Sequence, residues 1–274
     1  MKITVDEIEP IEKYSYLEVG TGQANNGKPI IIHKELPIYL GEFENEKANI
    51  DFLIVCSDLQ GAIEKDGEYK LIGEELPEFL KLLIEIEIVE IQNPKIGVLL
   101  CGDLFTSLEK RGSSGDVRIV WKKFKEQFDW VIGVAGNHDR FGNEIEKEEF
   151  KSTENIHLLH KEIKEIDNLK IGGISGIIGR GDKTNRVDEK EYLDNLKKLL
   201  NKELDFVLLH ETPNYPKLEF IGNEKIREVI EKEGKSNICC GHCYWEKTLI
   251  ELENKSQIMN VDSKVVILKK KNKN

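Results

Sequence analysis

The chain has 274 residues, 39% hydrophobic and 33% charged, with a formal net charge of -11. A chain of that size buries a substantial core without disulfides, and its composition is that of a globular protein, not a disordered one. No apolar run approaches the ~20 residues of a membrane span, and the acidic balance opposes an extended groove for a nucleic-acid backbone.

The N-terminus, Met1 to Glu7, lacks the basic flank and apolar stretch of a secretory signal, which gives a cytoplasmic expectation. Residues 1–50 read as a β-rich extension packed on the main body, with strands at 14–19, 29–34 and 36–43 and a Gly/Asn-rich turn at 20–28. From residue 51 the rhythm changes. A buried-strand run at 51–56 ends in Ser57-Asp58-Leu59-Gln60-Gly61. An amphipathic helix at 74–92 turns Leu76, Phe79, Leu80 and Leu83 inward and stops before Pro94. A strand at 95–101 ends in Gly102-Asp103, a helix at 116–128 carries Ile119, Val120, Phe124 and Phe128 inward, and a strand at 130–135 ends in Gly136-Asn137-His138-Asp139. Strand, helix, strand, helix, strand is the pattern of a parallel α/β sheet, in which ligands gather beyond the C-terminal strand ends. The spacing therefore predicts that these motifs converge on one crevice.

The second half repeats the theme less regularly. Strands are expected at 156–159, 169–174 and 177–178, then a helix from Asp188 with Glu191 completing a capping box. A strand at 205–209 ends in His210, a helix at 223–232 takes Asn223 as its cap, and a strand at 237–240 ends in Gly241-His242-Cys243-Tyr244-Trp245. Strands at 248–252 and 264–268 close the fold, and the basic residues 269–274 read as a solvated tail. Cys56, Cys101, Cys239, Cys240 and Cys243 lie in or just after apolar runs. A structural zinc cluster needs four ligands, usually two Cys-x-x-Cys pairs; with only Cys240 and Cys243 so paired, these read as buried core thiols.

The strand ends together supply Asp58, Gln60, Asp103, Asn137, His138, Asp139, His210 and His242. Hard oxygens mixed with imidazoles suit manganese, iron, zinc or magnesium. A carboxylate bridging two cations ~3.5–4 Å apart suits in-line displacement at phosphorus.

In this order, Asp-x-Gln, Gly-Asp, Gly-Asn-His-Asp, His and Gly-His-x-Tyr, each at a strand end, resemble the motifs of the calcineurin-like metallophosphoesterases over residues 51–268. The resemblance implies one domain, a metallophosphoesterase-type four-layer α/β/β/α sandwich, with two divalent cations. It makes Asp103 the bridging carboxylate, Asn137, His210 and His242 the other ligands of the second metal, His138 the group that protonates the leaving oxygen or steadies the phosphoryl charge, and Asp139 its orienting partner. At the first metal Asp58 is present, but Gln60 and Tyr244 stand where the family usually has histidines. Three readings stay open: an enzyme with altered metal preference, a one-metal enzyme, or a catalytically silent scaffold of the same fold. The implied activity is hydrolysis of a small phosphomonoester or phosphodiester by metal-bound hydroxide. Arg111 and Arg118, in the segment after Gly102-Asp103, and Arg140, directly after the Gly-Asn-His-Asp motif, are candidates for pairing with phosphate.

Overall fold

The computed structural model describes residues 1–23, 27–88 and 92–271. Parts of the expected turn at 20–28, helix at 74–92 and tail at 269–274 therefore lie outside the described residues. Within them, strands Phe52–Ser57, Ile96–Leu100, Trp130–Gly133 and Ile156–Leu158 run parallel side by side, as the alternation of strands and helices predicts. Strand Lys264–Lys270 lies antiparallel to Phe52–Ser57 on one side and parallel to Pro29–Phe43 on the other. Glu12–Gln23 then pairs with Pro29–Phe43, and the Ala62–Lys65/Glu68–Leu71 hairpin ends this ten-stranded sheet. The second sheet has six strands in the order Glu162–Ile166, Leu169–Ile174, Phe206–Leu209, Asn237–Cys240, Gln257–Asn260, Leu249–Glu251.

Successive strand residues point to opposite faces, and both faces are buried here, so each strand feeds two cores. Leu53, Val55, Leu99, Cys101, Ile132 and Val266 of the first sheet meet Phe206, Leu208, Cys239 and Met259 of the second. Their neighbours Ile54, Cys56, Val98 and Leu100 pack under helices Ile72–Leu83 and Arg118–Gln127. On the far side Val207, Leu209, Ile238 and Cys240 pack under helices Glu189–Leu200 and Glu224–Glu233. Three cores between four layers give the α/β/β/α sandwich. All five cysteines are free, with Cys56, Cys101, Cys239 and Cys240 buried in these cores.

Several elements differ from expectation. The two strands expected at 29–34 and 36–43 are one, Pro29–Phe43, because Glu12–Gln23 pairs along most of its length. Ile119 is exposed: helix Arg118–Gln127 buries Val120, Trp121 and Phe124, and the face they form excludes it. Lys269 and Lys270 belong to a strand, and Lys270 Nζ donates to Ala48 O, so the basic run begins inside the sheet. Helix Glu144–Lys151, capped reciprocally by Asn143 and Glu146, is an additional element. No described helix is long and apolar enough to cross a membrane.

Candidate metal centre

At the strand ends the chain turns through conformations that L side chains rarely adopt. Asp58, Asp103 and His242 have φ of 53°, 52° and 71°. Such left-handed residues cost on the order of 1–3 kcal/mol each and cluster at functional sites. All three line one cleft of about 670 Å³. Gly102, with φ 93°, precedes Asp103. Gly136 admits the closest approach: a Cβ there would stand 2.0 Å from Asp103 Oδ1.

Asp103 is the centre of the cluster. Its Oδ1 accepts from His138 N at 2.8 Å, while Oδ2 lies 3.2 Å from His210 Nε2 and 3.4 Å from Gln60 Nε2. His210 is wholly buried, and its Nδ1 sits 2.8 Å from Cys101 O. A carbonyl only accepts, so Nδ1 carries a proton and Nε2 is left to act as the ligand atom. The ligand atoms of Asp103, His210 and His242 all lie within 4.8 Å of one another. His210 Nε2, close to Asp103 but out of hydrogen-bond alignment, and Asn137 Oδ1 are buried without a hydrogen-bond partner among the described residues. Buried polar atoms are rarely left so, and a divalent cation coordinated by these groups would satisfy both. The residues present fit a metal.

The charges fit as well. Burial opposes a proton on His210, but Asp103 and Asp58 outweigh it and raise its pKa to about 10. Asp103 itself is held below the usual carboxylate range: burial works against this, and His210 with the His138 amide prevails. Burial and the neighbouring His210 lower His242 to about 4, so it is a neutral imidazole at physiological pH. Burial and the nearby Asp262 push Asp58 up. Acids and imidazoles at this density share protons that a cation would displace.

Asp139 has a different place from the one the resemblance assigns. Its oxygens accept from the backbone N–H groups of Asp103 (2.9 Å), Leu104 (2.8 Å) and Gly136 (2.8 Å), so it clamps two motif turns together. The partner of the His138 ring is instead Ser114 Oγ, 3.2 Å from Nδ1. The short parallel pair Gly115–Asp116 with Asp139–Arg140 holds that serine beside the ring. Asn185 Nδ2 donates to Gly136 O and Asp139 O, both at 2.8 Å, and fixes the turn between them. Ser114 and Asn185 carry no motif signal in the sequence.

Of the three candidate arginines, Arg111 alone lines the cleft, together with His138. Arg118 is taken up by Asp116 and Glu146, and Arg140 donates to the carbonyls of Asn137 and Asp139. Gln60 lines the cleft with its amide directed at Asp103. Tyr244 stands on the rim, 56% exposed, with Lys264 Nζ 4.9 Å from its ring centroid. Trp245 is buried and stacks on Phe220 at 5.0 Å, a packing role. Asp262, in the turn before the last strand, also lines the cleft.

Fold and site together define a metallophosphoesterase-type protein. A family model described as calcineurin-like phosphoesterase matches residues 53–243, and the chain belongs to that family. Among solved structures it is similar to TT1561 of Thermus thermophilus, at 16% identity and a TM-score of 0.54, over 78% of this chain and 90% of that one. It is also similar to a 5'-nucleotidase precursor from the same organism (13% identity, TM-score 0.42, 77% of this chain and 48% of that one). A third likeness is to the Phosphopantetheinyl Hydrolase of Mycobacterium tuberculosis (11% identity, TM-score 0.47, 78% and 90%). At 16% identity the likeness to TT1561 is one of fold. No curated protein matches the chain.

Proposed function

We propose that the protein hydrolyses a small phosphomonoester or phosphodiester with the help of divalent cations held at the strand-end cleft. The observation that carries this reading is two buried atoms without a hydrogen-bond partner among the described residues: His210 Nε2, 3.2 Å from Asp103 Oδ2, and Asn137 Oδ1, whose chain neighbour His138 donates its N–H to Asp103. When bound, cations supply positive charge that polarises the phosphoryl oxygens and acidifies a water. Asp103, Asn137, His210 and His242 would hold one ion; Asp58, Asp103 and Gln60 would hold another. The His138 ring, fixed at Nδ1 by Ser114, offers Nε2 to the leaving oxygen as the proton donor. Asp139 keeps the Asp103 and Gly136 turns in register through its three N–H contacts. Arg111, exposed on the cleft wall and unpaired among the described residues, meets the phosphate or its substituent.

The mouth bears Lys13, Glu18, Lys34, Glu35 and Arg111 rather than an apolar patch, which supports a soluble polar substrate over a scaffold's protein partner. The test is hydrolysis of a generic aryl phosphodiester and its monoester with added manganese, for the wild type and Asp103→Asn. Turnover that a chelator removes and the variant lacks is the expected result. Two inert proteins across manganese, iron, zinc and magnesium would refute the enzyme reading and leave the scaffold.

A further inference from the structure

The side of the cleft occupied by Asp58 is poor in imidazole. Gln60 supplies an amide there, and Tyr244 points its ring to the rim under the Lys264 ammonium. A third acid comes from a part of the chain that no motif marks. The turn at 261–263 carries the backbone from Gln257–Asn260 in the second sheet to Lys264–Lys270 in the first. In crossing, Asp262 forms a parallel bridge with Ser57, and Ser263 N donates to Ser57 O at 3.2 Å. Asp262 thus lies beside the residue preceding Asp58, only 8% exposed and lining the same cleft.

Its carboxylate is held in a defined pose. Ser263 Oγ donates to Oδ1 at 2.8 Å, and Asp262 N donates to Asn260 Oδ1 at 3.2 Å. Asn260 Nδ2 in turn donates to Cys243 O at 2.9 Å, which ties this turn to the loop bearing His242. The other carboxylate oxygen, Oδ2, has no hydrogen-bond partner among the described residues. On the opposite side, Asp58 Oδ2 accepts from Ser57 Oγ at 2.7 Å and His242 N at 2.9 Å. The neighbouring Asp262 carboxylate repels that of Asp58. No lysine or arginine forms an ion pair with either acid among the described residues. Lys264 Nζ donates instead to Trp245 O. The neighbouring His210 offsets part of the repulsion between these two enclosed acids, and a divalent cation between them would reverse its sign. Asp103 lines the same cleft as the pair, and its Oδ2 lies 3.2 Å from the fully buried His210 Nε2, so the acids share a cleft with a member of the ligand group.

We propose that Asp262 is a ligand of the cation beside Asp58, giving that position an all-oxygen set of Asp58, Asp103, Asp262 and the Gln60 amide. This rests on the reading of the cleft as a two-cation phosphoesterase centre. The two positions then differ in chemistry. The Asn137, His210 and His242 side is rich in imidazole, and the Asp262 side takes hard cations such as manganese or magnesium.

The experiment is equilibrium dialysis against manganese with elemental analysis, on the wild type, Asp262→Asn and Ser263→Ala. The wild type is expected to bind two ions per chain. Asp262→Asn should keep one and bind the other at least tenfold more weakly, while Ser263→Ala, a milder change, weakens that same ion a few-fold. With chelator present, Asp262→Asn should melt at or above the wild type, since it removes a repulsion. Two ions bound with unchanged affinity in both variants overturn the proposal, and so does a wild type that binds a single ion. Turnover of the aryl phosphate is read separately. A stoichiometry that drops from two to one in a protein inert towards phosphoesters supports the ligand and refutes the hydrolase; turnover with unaltered stoichiometry does the reverse.

Discussion

Loading the centre with metal should release a proton from His210. Without a cation, Asp103 and Asp58 overcome the cost of burial and raise this imidazole to about 10, with Nδ1 already committed to Cys101 O. A metal must take Nε2, so the proton there has to leave. At pH 7.5 that displacement costs about 3 kcal/mol, from roughly 1.4 kcal/mol for each unit between the pH and the pKa. The dissociation constant for manganese should therefore fall about tenfold per pH unit from pH 6.5 to 9. Isothermal titration calorimetry in Pipes and in Hepes, whose ionisation enthalpies differ, counts the protons released. At least one per chain is expected. The metal-free fold carries the same signature: a histidine whose folded pKa exceeds its unfolded value of ~6.5 stabilises fully below that pH and loses the contribution as pH climbs towards the folded value. In chelator, stability should decline from pH 6.5 to 10, by up to roughly 5 kcal/mol if His210 acts alone, and metal-loaded protein should not show this loss. A flat dissociation constant with buffer-independent heats would refute the reasoning, because it would mean that Nε2 is already free.

Three further outcomes follow from the geometry. His138→Ala should lower turnover about a hundred- to ten-thousand-fold while elemental analysis finds the wild-type metal content, since the ring bonds Ser114 and lines the cleft without joining the ligand group. Gly136→Ala places a Cβ 2.0 Å from Asp103 Oδ1 and 2.3 Å from Asp103 N; it should cost about 1–3 kcal/mol in a denaturant melt and abolish cation binding in dialysis. Arg111→Ala should raise KM several-fold with kcat little changed, whereas Arg118→Ala, whose guanidinium serves Asp116 and Glu146, should leave KM unchanged in the same assay.

The strands that carry the site are readable in the sequence because burial on both faces makes them short unbroken apolar runs, and a polar motif marks each end. Leu169–Ile174 and Asn237–Cys240 are bounded as expected. Ile119 is misjudged because apolarity alone does not say which side of a helix meets the sheet; the face is set by Val120, Trp121 and Phe124. Helix Glu144–Lys151 escapes a reading by apolar periodicity, although Asn143 and Glu146 hold the spacing of a capping box. Asp139 is visible as a motif residue, but its partners are backbone N–H groups, which leave no mark in a sequence. Asp262 is harder still. An Asp-Ser turn between two strands is ordinary, and it matters only because the chain changes sheets there, beside Ser57.

The placing of the last strand has a consequence for how the protein is made. Among the described residues, Pro29–Phe43 and its hairpin partner reach the parallel strands of the main sheet only through Lys264–Lys270, which separates them. The Lys270 to Ala48 hydrogen bond spans 222 residues. At roughly 5–20 residues per second of synthesis, the N-terminal hairpin waits about 10–45 s for the strand that docks it, its edge exposed meanwhile. The cleft wall carrying Lys13 and Lys34 thus docks only once a strand far later in the chain has been made, and a nascent chain halted before Val265 would carry the metal-binding motifs with that wall undocked.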